Sequence, residues 1–290
     1  MYRSFLYVPA SSERFFAKAA TSGADAVCLD LEDGVAPSEK TRARLNLTLA
    51  VPACGASGSD VWVRINRPLS QAVLDIEAAV RSNATGIFIT KAESAEHVGL
   101  LLEVAAEAEA VSRQIRQAPL KAIAMIETCA AIPRAGEIAC AHPAVIGLLG
   151  GGEDLAKEMG ANSNEETLRL PKLLIHLAAK GAGIHSFGTL GSVADYSNPK
   201  GISDLAMEAR RHGFSGATCI HPSIVAVLNT AFTPTLAEID NAKALIVQAS
   251  ESFAAGNGAF TFQGRMVDEP IIEKARRLIA RAELHQEKGS

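Results

Sequence analysis

The chain has 290 residues, is 48% hydrophobic and 21% charged, and carries a formal charge of −4. That balance is an ordinary globular one with a large core; it argues against disorder, and without a basic stripe or stacking aromatics it gives no reason to expect nucleic acid as a partner. The apolar run at Met1–Ala10 is shorter than a secretory core of roughly 7–15 residues, no stretch approaches a membrane span of about 20, and Cys28, Cys54, Cys129, Cys140 and Cys219 form no CxxC pair. The expectation is a cytoplasmic protein with no membrane partner and reduced core thiols.

Along the chain, short β-branched runs alternate with amphipathic stretches. The strand candidates Ser4–Val8, Ala26–Leu31 and Val61–Ile65 are nearly continuous in apolar character, as expected for parallel strands buried on both faces. Pro37 suits the first turn of the helix between the second and third. Next comes a helical pattern at Ser70–Arg81, with Val73, Ile76, Ala79 and Val80 on one face and Ser70 as its expected cap. Strand Gly86–Ile89 precedes a stripe of Ala95, Val98, Leu101, Leu102 and Ala105. Strands Ala122–Ile126 and Val145–Leu149 follow, then a repeat of Leu170, Leu174 and Ala178, expected to face the core. Strands Gly183–Phe187 and Thr218–Ile220 complete the set, with Pro222 opening another helix.

Eight strands alternating with helices predict a closed (β/α)8 TIM barrel; the alternative, an open doubly wound sheet, lacks a GxGxxG after an early strand. Two further helical stretches, Leu236–Phe253 and Pro270–Glu283, joined by the glycine-rich Ala254–Gly264, exceed what a barrel needs. The reading is a barrel domain over residues 1–232 and a C-terminal helical extension over 233–290, packing across the barrel or on a neighbouring subunit.

Polar residues gather where the apolar runs end: Asp30-Leu31-Glu32-Asp33, Arg64-Ile65-Asn66, Thr90-Lys91, Glu127-Thr128, Glu153-Asp154 and His221. Barrel enzymes draw their active sites from the C-terminal ends of strands. Glu127 and Asp154, on consecutive strands, suit one hard cation such as Mg²⁺, which takes a couple of carboxylates and leaves the other positions to water and substrate. Histidine and cysteine ligands for zinc are missing there. The structural alternatives are a Glu127–Arg134 pair and Asp154 capping a helix from Leu155. Arg64, emerging from a strand core, needs a carboxylate partner, either on a substrate or from Glu32 or Asp33. Arg3, Arg14 and Lys18 are basic positions suited to phosphates or to a solvated helix face. His221 is either catalytic or hydrogen-bonded at a strand end, and Asp268 reads as a cap for the helix opening near Pro270.

Those residues also carry a family resemblance. Arg3-Ser-Phe-Leu-Tyr-Val-Pro9, Leu29-Asp-Leu-Glu-Asp33, Val63-Arg-Ile-Asn66, Ile126-Glu-Thr128, Gly152-Glu-Asp-Leu155, Ile220-His-Pro222, Phe232-Thr-Pro234 and Gly264-Arg-Met-Val-Asp268 occur in the order of the citrate lyase β-subunit-like proteins, within the HpcH/HpaI aldolases and malyl-CoA lyases. The chain resembles that group nearly end to end. The resemblance implies a (β/α)8 barrel in a homotrimer and a lyase acting on a CoA thioester of malyl-, citramalyl- or citryl-CoA type to release acetyl-CoA and a 2-oxo acid. It also implies Mg²⁺ on Glu127 and Asp154, a 2-oxo acid carboxylate at Arg64, CoA phosphates near Arg14 and Lys18, and Asp268 as the acid/base in a neighbour's site. Other readings within the group are a class II pyruvate aldolase, a malyl-CoA thioesterase and the β subunit of a citrate lyase complex. Thr90, Ala217, Ser223-Ile224 and Ser186–Gly191 depart from the group's usual residues and bear on the substrate rather than the chemistry.

Overall fold

A computed structural model describes residues 1–112, 118–193, 196–254 and 258–287, so residues 255–257 of the glycine-rich join lie outside the described residues. The chain divides into two compact units, Tyr2–Phe232 and Thr233–Ser290, the second taking in Met1.

The larger unit contains eight parallel strands: β1 Ser4–Pro9, β2 Ala26–Asp30, β3 Asp60–Ile65, β4 Gly86–Ile89, β5 Lys121–Ile126, β6 Val145–Gly150, β7 His185–Phe187 and β8 Ala217–Cys219. From β1 to β7 each strand pairs with the next, β1 also pairs with β8, and a parallel bridge from Phe187 to Gly216 links β7 to the approach of β8. The sheet therefore closes as a (β/α)8 barrel, with every expected strand present and boundaries differing by a residue or two. Its helices are α1 Phe16–Ala20, α2 Lys40–Gly55, α3 Leu69–Arg81, α4 Ala95–Val111, α5 Ala135–Ala139, α6 Gly152–Met159, α7 Glu165–Gly181, α8 Pro199–His212 and α9 Val225–Phe232.

The strands' two-residue alternation feeds two cores. Leu6, Val27, Leu29, Val63, Ile87 and Ile89 pack with the helices, whereas Phe5, Cys28, Trp62, Phe88, Ile123, Met125, Leu149 and Phe187 form a separate cluster that fills the barrel. Trp62 meets Phe5 and Phe88 at centroid distances of 5.9 and 5.6 Å in edge-to-face geometry. Each such pair contributes about 0.5–1.5 kcal/mol beyond area burial. This aromatic plug forms the floor beneath the polar layer at the strand ends.

Two helix expectations need correction. Pro68, without a side-chain cap bond, precedes α3, so Ser70 lies inside the helix rather than capping it. In α7 the buried face is Leu168, Lys172, Ile175, His176 and Ala179, whereas Leu170 and Leu174 are exposed. Leucines occupy both sides of this helix, so an i, i+4 repeat alone selects the wrong side. The α4 stripe, by contrast, is buried at Val98, Leu101, Leu102 and Ala105, and Ser94 caps that helix by accepting from the His97 amide.

The smaller unit contains α10 Leu236–Ala254, an antiparallel hairpin of β9 Phe260–Phe262 and β10 Arg265–Val267, and α11 Glu269–Glu287. Gln263 and Gly264 turn the hairpin with φ of 49° and 77°, the left-handed backbone that a two-residue hairpin loop favours. Ala242, Leu245, Ala249, Val267, Ile272 and Ala275 make its own core. Among the described residues no helix is long and apolar enough to cross a membrane. All five cysteines are free; Cys28, Cys54 and Cys219 are core thiols, but Cys129 is half-buried and Cys140 exposed.

Candidate active site

Strand register determines which polar side chains meet. Asp30 and Arg64 are Cα partners across β2 and β3, so they enter the barrel mouth side by side. The guanidinium grips Asp30 in a fork, Nε to Oδ1 at 2.8 Å and Nη2 to Oδ2 at 2.7 Å, and its Nη1 lies 3.0 Å from Glu32 Oε2. The expected partner Glu32 is thus present, Asp33 is exposed, and the main partner is Asp30. Burial alone would lower the Arg64 pKa, but the bonds to Asp30 and the charges of Asp30 and Glu32 outweigh it and raise it. Both Asp30 oxygens also accept backbone amides, from Glu32 and Gly34. From α2, Lys40 Nζ donates to the carbonyls of Leu31 and Glu32 and holds the same turn.

Glu127 follows β5 and is 4% exposed. Its Oε2 accepts the Lys91 amide at 2.7 Å, in place of the alternative pairing with Arg134. Lys91, just past β4, has φ of 47°, an uncommon left-handed value for a side-chain-bearing residue that costs of order 1–3 kcal/mol and tends to mark functional sites. Its ammonium reaches Glu32 Oε1 at 3.0 Å and Asp154 Oδ2 at 3.5 Å. Thr90, the departure from the group's proline, donates its hydroxyl to the Ile65 carbonyl at 2.8 Å and ties β4 to β3 there. Asp154 lies in the first turn of α6, which begins at Gly152, not Leu155.

Glu127, Asp154 and Arg64 line one cavity of about 310 Å³, with Tyr7, Met125, Leu149, Gly150–Gly152, Lys172, Thr189 and Thr218 among its other walls. A Cβ on Gly151 would overlap Glu127 Oε1, so only glycine lets the β6–α6 turn pass so close to that carboxylate. Burial first, then the charges of Asp154 and Glu32, push the Glu127 pKa up to about 7 despite the opposing Lys91 amide and ammonium. The donors fit Mg²⁺: hard carboxylate oxygens without imidazole or thiolate, two residues rather than a full cage. Among the described residues no group of three or more His, Cys, Asp or Glu is arranged to hold a metal.

The other expected residues lie elsewhere. Arg14 and Lys18 are exposed; Arg14 sits over the Phe15 ring, and Lys18 lines a neighbouring cavity of about 150 Å³ with Tyr7, Ile220 and His221. Arg3 instead pairs with Asp25 at 2.6 Å, both just ahead of their strands and thus at the barrel's opposite end. His221 accepts the Ser223 amide at the start of a short helix and stacks on Tyr196 at 4.7 Å. Asp268 belongs to the smaller unit, half-buried, and its carbonyl accepts the amides of Ile271 and Ile272 at the start of α11. Sequence reasoning missed the partnership of Asp30, the bridging ammonium of Lys91 and the buried Lys172. The doublet Thr90-Lys91 at a strand end was a visible signal for the second, while Lys172 carries none.

Residues 3–222 match the HpcH/HpaI aldolase/citrate lyase family. The citrate lyase subunit beta of Escherichia coli (strain K12) is 32% identical, over 97% of this chain and 93% of its own length. A (3S)-malyl-CoA thioesterase of Cereibacter sphaeroides is 33% identical, over 97% and 95%. The crystal structure of the protein CitE from Mycobacterium tuberculosis, in complex with magnesium, acetoacetate and coenzyme A, superposes with a TM-score of 0.78 at 31% identity, covering 97% of both chains. The chain belongs to the HpcH/HpaI aldolase/citrate lyase family, whose members include lyases.

Proposed function

We propose that the chain is a Mg²⁺-dependent lyase that cleaves a carboxylated 3-hydroxyacyl-CoA of citramalyl-, malyl- or citryl-CoA type into acetyl-CoA and a 2-oxo acid. The observation that carries the reading is the convergence of Glu127, Asp154 and Arg64 on one cavity at the barrel mouth. Glu127 and Asp154 would hold the ion, which when bound supplies Lewis-acid polarisation and a template for the substrate's oxygens.

The chain's own residues do the rest. Arg64 has N–H groups left after Asp30 and Glu32 are satisfied, and these would receive the substrate carboxylate and stabilise charge developing beside it. Asp30 fixes the guanidinium plane, and Lys91 fixes the Glu127 carboxylate. In the cleavage itself the hydroxyl proton would pass to the Asp268 carboxylate, the O–H pair becomes the new carbonyl bond, and the carbon–carbon pair passes to the thioester as an enolate. Asp268 would then protonate the enolate carbon, so the net change moves one proton from oxygen to carbon. We assign Asp268 to the site of a neighbouring copy in a homotrimer, and Arg14 and Lys18 to the CoA phosphates; Lys18 lines the small cavity that shares Tyr7 and Ile220 with the main one. The compartment we propose is the cytoplasm, in keeping with five free cysteines.

The test is a panel of purified malyl-, citramalyl- and citryl-CoA with and without Mg²⁺, following 2-oxo acid and free CoA. The expected result is a 2-oxo acid without free CoA, abolished by EDTA and by Glu127→Gln. The thioesterase relative favours a second reading, hydrolysis. Free CoA and an intact hydroxy acid would establish that reading and overturn the lyase.

A further inference from the structure

Lys172 stands on the buried face of α7 among Leu168, Ile175 and Ala179, and only 6% of it is exposed. A lysine on such a face is costly unless its charge is answered. Its Nζ donates to the Gly191 carbonyl at 2.6 Å, and among the described residues this is its sole acceptor, with no carboxylate in ion-pair range. An ammonium carries three donors, and this bond uses one of them. Burial pushes its pKa down to about 8, against the opposing charge of Glu153. The acid nearest in effect, Glu153, is exposed and turned to the hydroxyls of Ser163 and Ser192. The Gly152 backbone passes close to this side chain: a Cβ there would lie 2.8 Å from Leu168 Cδ1 and 3.2 Å from Lys172 Nζ. Lys172 also lines the cavity that holds Glu127, Asp154 and Arg64.

The charges around that cavity can be paired off. Arg64 is answered by Asp30, Lys91 by Glu32, and a divalent ion by Glu127 and Asp154. Asp33 and Glu153, which also line it, are exposed to water, whereas Lys172 is buried with no carboxylate in ion-pair range among the described residues.

Building on the proposed reaction, we infer that Lys172 is a specificity-determining residue that binds a carboxylate of the substrate additional to the one at Arg64, so that the site prefers a dicarboxylic 2-oxo acid to a monocarboxylic one. A charge-assisted hydrogen bond in a buried site corresponds to about tenfold to a hundredfold in affinity.

The experiment measures dissociation constants of oxaloacetate and pyruvate by calorimetry on the full-length protein with Mg²⁺, for the wild type, Lys172→Met and Lys172→Gln. Methionine fills the same apolar channel without a charge, and glutamine keeps a donor for the Gly191 carbonyl; thermal melts check that both variants fold. The expected result is a preference for oxaloacetate of about tenfold or more that shrinks to within about threefold in both variants, with pyruvate affinity unchanged. An unchanged preference, or an equal loss for both acids, overturns the inference and leaves the metal and Arg64 reading standing. Binding of neither acid by the wild type overturns that reading and this one with it.

Discussion

Asp30 has no spare capacity: its four acceptor positions are taken by Arg64 Nε and Nη2 and by the amides of Glu32 and Gly34. An amide in its place would turn two of its hydrogens toward existing donors. Asp30→Asn should therefore cost about 3–5 kcal/mol, the range for breaking a buried ion pair by removing one partner. It should also release the guanidinium from its plane, and kcat/KM should fall with stability. Urea unfolding of the variant against the wild type checks the first part. A loss below about 1 kcal/mol, the size of an ordinary surface pair, would show that Arg64 keeps its place without Asp30. This pairing was hidden from the sequence for a simple reason: Asp30 and Arg64 are 34 residues apart, and only the β2–β3 register makes them neighbours. Glu127 and Asp154 were legible because each ends an apolar run on consecutive strands, and position at a strand end survives small errors in register.

At the level of elements, strands were easier to read than helix faces. Eight β-branched runs bounded by polar residues gave eight strands, because burial on both faces leaves little ambiguity. In α7, leucines at 170, 174 and 177 repeat as convincingly as Leu168, Ile175 and Ala179, yet the second set packs on the barrel. The buried face of α7 includes two titratable residues, Lys172 and His176, where an apolar stripe was expected. His176 stacks on Phe214 at 4.4 Å, and its Nδ1 is buried without a hydrogen-bond partner among the described residues. Burial first, then the neighbouring Lys180 charge, push its pKa down to about 4, against an opposing bond to the His212 backbone. The unfolded chain, with a histidine pKa of about 6.5, binds that proton earlier. Between about pH 6.5 and pH 4 the unfolded state thus holds more protons at this position, and stability falls as the pH falls. Above that window the position has no effect. His176→Leu should flatten the stability slope across the window by up to one proton, as read from denaturant midpoints at several pH values. A slope identical to that of the wild type would mean that the imidazole gains its proton in the folded protein as readily as in the unfolded one.

On the scale of the whole molecule, the proposed chemistry is divided between two units. The barrel supplies Glu127, Asp154 and Arg64, whereas Asp268 follows the β9–β10 hairpin in a unit with its own small core. The proposed homotrimer brings the acid/base of one copy to the metal ligands of the next, and this arrangement has a consequence that a self-contained copy lacks. Glu127→Gln and Asp268→Asn should each lower turnover by about a hundredfold or more when pure, since general acid–base catalysis alone contributes about 10²–10⁴. When the two are co-expressed and purified as mixed oligomers, a site with an intact barrel from one copy and an intact Asp268 from its neighbour is whole. Random assembly makes about a quarter of the sites whole, because each of the two required copies is correct half the time. Activity should therefore recover to roughly a quarter of the wild-type value per site in the mixture, and mixing the separately folded, non-exchanging proteins should restore none. Were Asp268 to serve its own barrel, every site in the mixed oligomer would still lack one group, and co-expression would leave turnover at the level of the single variants.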